Sequence, residues 1–142
     1  MYGVILATHG NYASGLKSTL KLVCGDMENL RTVDYVAGMS VTELEEEYDK
    51  AMDELKVYDK IIFLTDIFGG TPFNRAVMKY SENKNVKVLA GVNFTLLYSA
   101  LTADAEDFEE DIAEIIEAAK DEIAEFKPEK PAQDDEDFDE GI

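Results

Sequence analysis

The chain has 142 residues, an apolar fraction of 46% and a single cysteine, which suits one domain around one hydrophobic core and rules out an internal disulfide. Its formal net charge of −18 is unevenly placed: residues 1–103 carry 13 acidic and 10 basic side chains, and residues 104–142 carry 18 acidic and 3 basic. A strongly acidic C-terminal part disfavours nucleic acid and anionic membranes. No apolar run reaches the roughly 18 residues of a membrane span, and no basic segment leads into a long hydrophobic run at the N-terminus, so a soluble, cytoplasmic protein is expected.

The apolar run Val4-Ile5-Leu6-Ala7 marks a first strand over about residues 2–7. It leads through Thr8-His9-Gly10 into a helix with Ala13, Leu16, Leu20 and Val23 on one face, closed by Gly25. Cys24, inside that pattern, reads as a small buried hydrophobe. A second strand over 30–35 precedes Ser40 and Glu43, which have capping-box spacing before a helix carrying Val41, Leu44, Tyr48, Met52 and Leu55 on one stripe. Glu45, Glu46, Glu47 and Lys50 fall on its solvated face.

Ile61-Ile62-Phe63-Leu64 is the continuous apolar run of a strand buried on both faces, and it ends at Asp66. After Gly69-Gly70, Thr71 reads as an N-cap and Pro72 as the first residue of a helix with Phe73, Ala76, Val77 and Tyr80 inward. A fourth strand over about 86–90 turns at Gly91-Val92-Asn93 into a helix beginning near Leu96. A last helix over about 108–125 buries Ile112, Ile115, Ile116, Ala119 and Ile123. The alternation predicts an α/β fold: a doubly wound, mainly parallel sheet of four strands in the order 2-1-3-4, with helices on both faces. Residues 1–126 form the domain, and 127–142, with two prolines and an acidic run, read as a flexible tail.

In such sheets ligands gather beyond the carboxyl ends of the strands. His9 follows the first strand and Asp66 ends the third, so the two meet if those strands are neighbours. A carboxylate accepting from one ring nitrogen fixes the tautomer and leaves the other nitrogen's lone pair free as a nucleophile. Gly10 and Asn11 before one helix, and Gly69, Gly70 and Thr71 before another, offer backbone N–H groups to a phosphoryl anion. Each piece alone is equally compatible with turn geometry, loop bonding or helix capping. One histidine and one cysteine are too few for a zinc site, and no Walker-type phosphate loop is present. A histidine phosphatase needs more basic groups than Arg31 and Arg75 supply.

Together, Ala7-Thr8-His9-Gly10, the segment from Phe63 through Thr65-Asp66-Ile67-Phe68-Gly69-Gly70-Thr71-Pro72 to Asn74, and Leu89-Ala90-Gly91-Val92-Asn93 resemble a known family. It is the enzyme IIA component of the mannose-type (mannose–fructose–sorbose) bacterial sugar phosphotransferase system. The resemblance spans about residues 1–125 and implies that His9 is phosphorylated and that Asp66 orients its ring. It further implies the carrier HPr as phosphoryl donor, an enzyme IIB as acceptor, indirect association with membrane IIC and IID components, and no metal or cofactor. A homodimer is implied too, in the family commonly with an antiparallel edge strand exchanged near the C-terminus. Here that segment, around Phe126, is short and flanked by proline. Some relatives continue into a fused IIB domain; an acidic tail at the corresponding place reads as a free-standing IIA subunit. Two other readings use the same loops: a flavodoxin-like module binding a flavin or nucleotide phosphate, and a regulatory dimer sensing phosphorylation.

Overall fold

A computed structural model describes residues 1–129 of the chain. The elements are β1 (Gly3–His9), α1 (Tyr12–Cys24), β2 (Leu30–Tyr35), α2 (Val41–Glu54), β3 (Ile61–Thr65), α3 (Thr71–Tyr80), β4 (Val86–Leu89), α4 (Phe94–Thr102) and α5 (Phe108–Asp121). All strand pairings are parallel, in the order β2-β1-β3-β4. Both central strands are apolar up to their carboxyl ends because both of their faces are covered: Gly3 to Thr8 and the whole of β3 are buried, with Thr8 and Thr65 the buried polar residues at those ends. The edge strands β2 and β4 are only partly buried.

Alternation along the central strands divides the core in two. Val4, Leu6, Ile62 and Leu64 face α1, α4 and α5, whereas Ile5, Ala7, Ile61 and Phe63 face α2 and α3. The α2 start is held as the sequence indicates, with Ser40 Oγ accepting from the Glu43 N–H and the Glu43 carboxylate accepting from the Ser40 N–H. Gly25 closes α1 at φ 81°, in the left-handed region where a Cβ is strained.

Several local expectations are corrected. β1 continues to His9, because the ladder with β2 runs on to pair His9 with Tyr35, so the histidine is the last residue of a strand. Gly70, not Thr71, is the N-cap of α3; Thr71 is its first residue and Pro72 sits at its second, where a missing N–H is equally harmless. α4 starts at Phe94, because the Asn93 side chain accepts from the Leu96 N–H. α5 stops at Asp121, leaving Ile123 exposed beyond it, and Cys24 is exposed at the open end of α1. Among the described residues there is no fifth strand, and 122–129 carry no helix or strand. Most of the expected tail lies outside the described residues.

Three buried or half-buried phenols lie beside carboxylates. Tyr2 donates to Asp111 and Tyr80 to Asp49, while Tyr48 donates to the Pro72 carbonyl oxygen at 2.8 Å with the Asp66 charge nearby. Burial first pushes all three well above the ordinary tyrosine value of 10.0; for Tyr2 and Tyr80 the hydrogen bond donated to a carboxylate comes next and then its charge, and for Tyr48 the Asp66 charge. The folded chain therefore keeps protons that the unfolded chain sheds. Their contribution is complete below pH 10 and is lost as pH rises above it. Urea unfolding should thus give a stability that declines above pH 10, with part of the tyrosinate absorbance appearing only together with loss of the helical circular dichroism. Ordinary titration of all seven tyrosines in a folded chain contradicts this.

Candidate active site

β1 and β3 are neighbours with Ala7 beside Thr65, so the residues just past those positions emerge together at the carboxyl end of the sheet. His9 and Asp66 meet there. The ring Nδ1 lies 3.0 and 3.1 Å from the two carboxylate oxygens, and the His9 backbone N–H donates to Oδ2 at 3.1 Å. One carboxylate thus holds both the main chain and the ring of one residue, which fixes the side-chain torsions as well as the ring position. With the proton on Nδ1, the Nε2 lone pair is free. The His9 side chain is 38% exposed and that of Asp66 11%, so the nucleophilic edge is open and its partner is covered.

Two further contacts shape the ring's surroundings. Tyr35 stands edge-on to the imidazole at a centroid distance of 6.0 Å. Gly70 approaches it from the α3 side: a Cβ at that position would lie 2.7 Å from His9 Cε1, the carbon between the two ring nitrogens. Gly70 has φ −72°, which any residue adopts, so space alone demands glycine there. Gly69 differs, because its φ of 79° demands glycine for the backbone itself.

Two helix starts stand beside His9. At α1, the Ala13 N–H donates to Thr8 Oγ1 at 2.7 Å and the Ser14 N–H to Asp34 Oδ1 at 3.0 Å. The Gly10 N–H donates to the Tyr35 carbonyl oxygen at 2.8 Å, and Asn11 caps α1 without a side-chain bond. At α3, the Gly70 N–H closes a turn onto Ile67 and the Asn74 N–H bonds Gly70, whereas those of Thr71 and Phe73 have no acceptor among the described residues. Asn74 Nδ2 donates to the Gly69 carbonyl oxygen at 2.8 Å, steadying the loop that leads in. At α1 the N–H groups of Asn11 and Tyr12 likewise have no acceptor among the described residues, so an anion beside Nε2 finds open donors and the positive end of a helix dipole at both helix starts. Phe68, 82% exposed, meets half-buried Phe73 on the rim at a centroid distance of 4.7 Å, with the rings tilted by 40°.

A third loop completes the site without contributing a charged side chain. Between β4 and α4, the Gly91 N–H donates to the Asp66 carbonyl oxygen at 3.1 Å and the Val92 N–H to that of Thr65 at 3.0 Å. Tyr12, at the start of α1, donates its hydroxyl to the Val92 carbonyl oxygen at 2.7 Å. Sequence reasoning passed over Tyr12 and Tyr35. Tyr35 is signalled only by its place at the end of β2, level with His9 in the ladder. No group of three or more metal-ligating side chains is found among the described residues.

The family described as EIIA-man, PTS system fructose IIA component, matches residues 3–120. The chain is 33% identical over 102 residues to the PTS system fructose-specific EIIA component of Bacillus subtilis, covering 72% of this chain and 70% of that one. It is 31% identical over 132 residues to the PTS system mannose-specific EIIAB component of Escherichia coli, covering 92% of this chain but only 41% of that longer protein. The crystal structure of the phosphotransferase system component EIIA from Streptococcus agalactiae superposes with a TM-score of 0.78 at 29% identity, over 89% of this chain and 98% of that one. With this fold, and with matching residues that include both β1 and the β3–α3 loop, the chain belongs to the mannose–fructose–sorbose family of phosphotransferase-system IIA components, phosphoryl carriers in sugar transport.

Proposed function

We propose that His9 is the residue that carries the phosphoryl group, taking it from phosphohistidine on HPr and yielding it to an enzyme IIB that serves sugar uptake. The carrying observation is the pairing of His9 Nδ1 with Asp66 at 3.0 Å, which leaves Nε2 as the only ring nitrogen available for attack. The Nε2 lone pair forms a bond to phosphorus as the donor's P–N bond breaks and its electron pair returns to the donor imidazole. The proton stays on Nδ1, so phosphorylation makes the ring cationic, and the Asp66 carboxylate balances that charge. IIB then attacks the same phosphorus and the P–Nε2 bond breaks, restoring neutral His9.

Gly70 and Thr71 line the approach. The open N–H groups of Thr71 and Phe73 meet phosphoryl oxygens without a bound metal, because in-line transfer between two imidazoles needs positioning and charge stabilisation rather than new covalent chemistry. Gly10, Asn11 and Gly69 shape the loops around that group. A protein donor and acceptor place the chain in the cytoplasm, reaching membrane IIC and IID components only through IIB. We also propose a homodimer. The outer edge of β4 is unpaired among the described residues, and beside it Val88, Leu89, Leu96 and Ile116 help line an apolar groove of about 310 Å³. An exchanged C-terminal strand from a second copy fits that edge.

Incubation with phosphoenolpyruvate, enzyme I and HPr should place one acid-labile, alkali-stable phosphate on His9. Label that survives His9→Ala rejects the assignment. Asp66→Ala should slow acceptance roughly 10- to 100-fold while lowering stability by about 1 kcal/mol; an unchanged rate removes its orienting role. Gly70→Ala should slow acceptance by about tenfold or more by displacing the ring, with little change in melting temperature. Full activity of that variant shows that the ring does not need the space. Light scattering should return twice the chain mass, and a monomer at micromolar concentration excludes the dimer.

A further inference from the structure

Tyr12 has no part in the chemistry just described, yet its hydroxyl is bonded into the site. The ladder of β3 with β1 ends at Thr65, and that with β4 ends at Leu64, so Asp66 lies beyond the last sheet pairing on both sides. Its main chain is held instead by the Gly91 N–H at 3.1 Å. The loop supplying that N–H is bonded on its inner side to Thr65, through the Val92 N–H, and on its outer side to Tyr12, whose hydroxyl meets the Val92 carbonyl oxygen at 2.7 Å.

These bonds close a circuit. It runs from the His9 ring to the Asp66 carboxylate, through the Asp66 main chain to Gly91 and Val92, across to the Tyr12 hydroxyl, and back along three peptide units to His9. Within a closed circuit of short bonds, no member shifts without lengthening another. Removing the Tyr12 link leaves the loop held from the sheet side and from α5, by the Gly91 and Val92 N–H groups and by Asn93 Nδ2 on the Ala119 carbonyl oxygen, with nothing among the described residues fastening it to α1 at Val92. Tyr12 itself is 44% exposed, so its hydroxyl ties the first turn of α1 to the β4–α4 loop at the surface rather than filling the core.

We infer that Tyr12 is a positioning residue: by fastening the β4–α4 loop, its hydroxyl holds the Asp66 carboxylate against His9 Nδ1, which sets the ring's tautomer and aims Nε2 outward. The kinetic consequence rests on the phosphoryl-carrier reading above; the effect on the tautomer does not. Tyr12→Phe keeps the ring and removes only the link. In the unphosphorylated protein, the nitrogen NMR shifts of the single imidazole report how much of its neutral form carries the proton on Nδ1.

Wild type should be mainly Nδ1-protonated, Asp66→Ala should lose that bias, and Tyr12→Phe should fall between them. Phosphoryl acceptance from HPr by Tyr12→Phe should slow about three- to tenfold at saturating donor, with the half-saturating donor concentration unchanged. A lower melting temperature with a wild-type tautomer ratio overturns the inference, since a merely structural tyrosine gives that result. A shifted tautomer with an acceptance rate equal to wild type overturns its kinetic half. If wild type accepts no phosphate at all, the carrier reading fails, and the tautomer ratio still decides the role of Tyr12.

Discussion

Parallel pairing of β1 with β3, in the register that sets Ala7 beside Thr65, is the constraint on which the site depends. Without it, the main-chain N–H and ring of His9 do not both reach one carboxylate 57 positions away in sequence. A slip of one residue turns alternate side chains to the opposite face, breaking both halves of the core and moving Asp66 away from the histidine. Burial therefore enforces the register that the chemistry uses. Val4 and Leu6 fill one layer while Ile5 and Ala7 fill the other, so a one-residue slip keeps both layers apolar but exchanges side chains of different size between two close-packed layers, and it is this packing mismatch that resists it. The geometry of His9 and Asp66 is a by-product of core packing in the central strands.

The same economy separates the two helices that begin beside His9. Thr8, whose side chain is buried, spends its hydroxyl on α1, and Asp34 at the end of β2 spends its carboxylate there too. These bonds satisfy the Ala13 and Ser14 donors and leave those of Asn11 and Tyr12, nearest His9 in the chain, without an acceptor among the described residues. The start of α3 is left differently: a glycine cap with no side chain to offer, and a proline that removes one N–H altogether. What remains is a small set of open donors, placed on the side of the ring where Gly70 abuts Cε1. A capping Ser or Asp at position 70 would bring both a Cβ against the ring and an acceptor for those donors.

Much of this was legible in the sequence because the signals were periodic. The continuous apolar runs of β1 and β3, the capping box of Ser40 and Glu43, and the alternation of strands with helices identify the sheet order and the carboxyl-end location of His9 and Asp66. What escaped was set by contacts between distant segments. Thr71 followed by Pro72 looks like a cap followed by a first helical residue, but the turn that bonds Gly70 to Ile67 moves the helix boundary one residue back. Ile123 continues the spacing of Ile112, Ile115 and Ile116, yet the helix ends at Asp121 and exposes it. Cys24 sits in an apolar helical pattern at its last turn, where no neighbouring element arrives to bury it. The Tyr12 bond joins residues 80 apart through a main-chain carbonyl, which no side-chain pattern encodes.

In the proposed transfer the relay residue must hold its cargo without trapping it, and the charges around His9 suit that requirement. Both arginines are engaged elsewhere, Arg31 with Glu54 at 2.9 Å and Arg75 with Glu45 at 3.7 Å. A guanidinium clamped on a phosphoryl group would stabilise the bound state as much as the transition state, and binding both equally brings no gain in rate. Backbone N–H groups and a helix dipole offer a weaker, fixed field that needs no reorganisation when the group arrives or leaves. Asp66 adds the complementary half: its charge favours the cationic phospho-ring, while its repulsion of the phosphate oxygens falls on the far side of the imidazole. Were the group to pass between two partner proteins as proposed, this arrangement would lower the barrier in both directions.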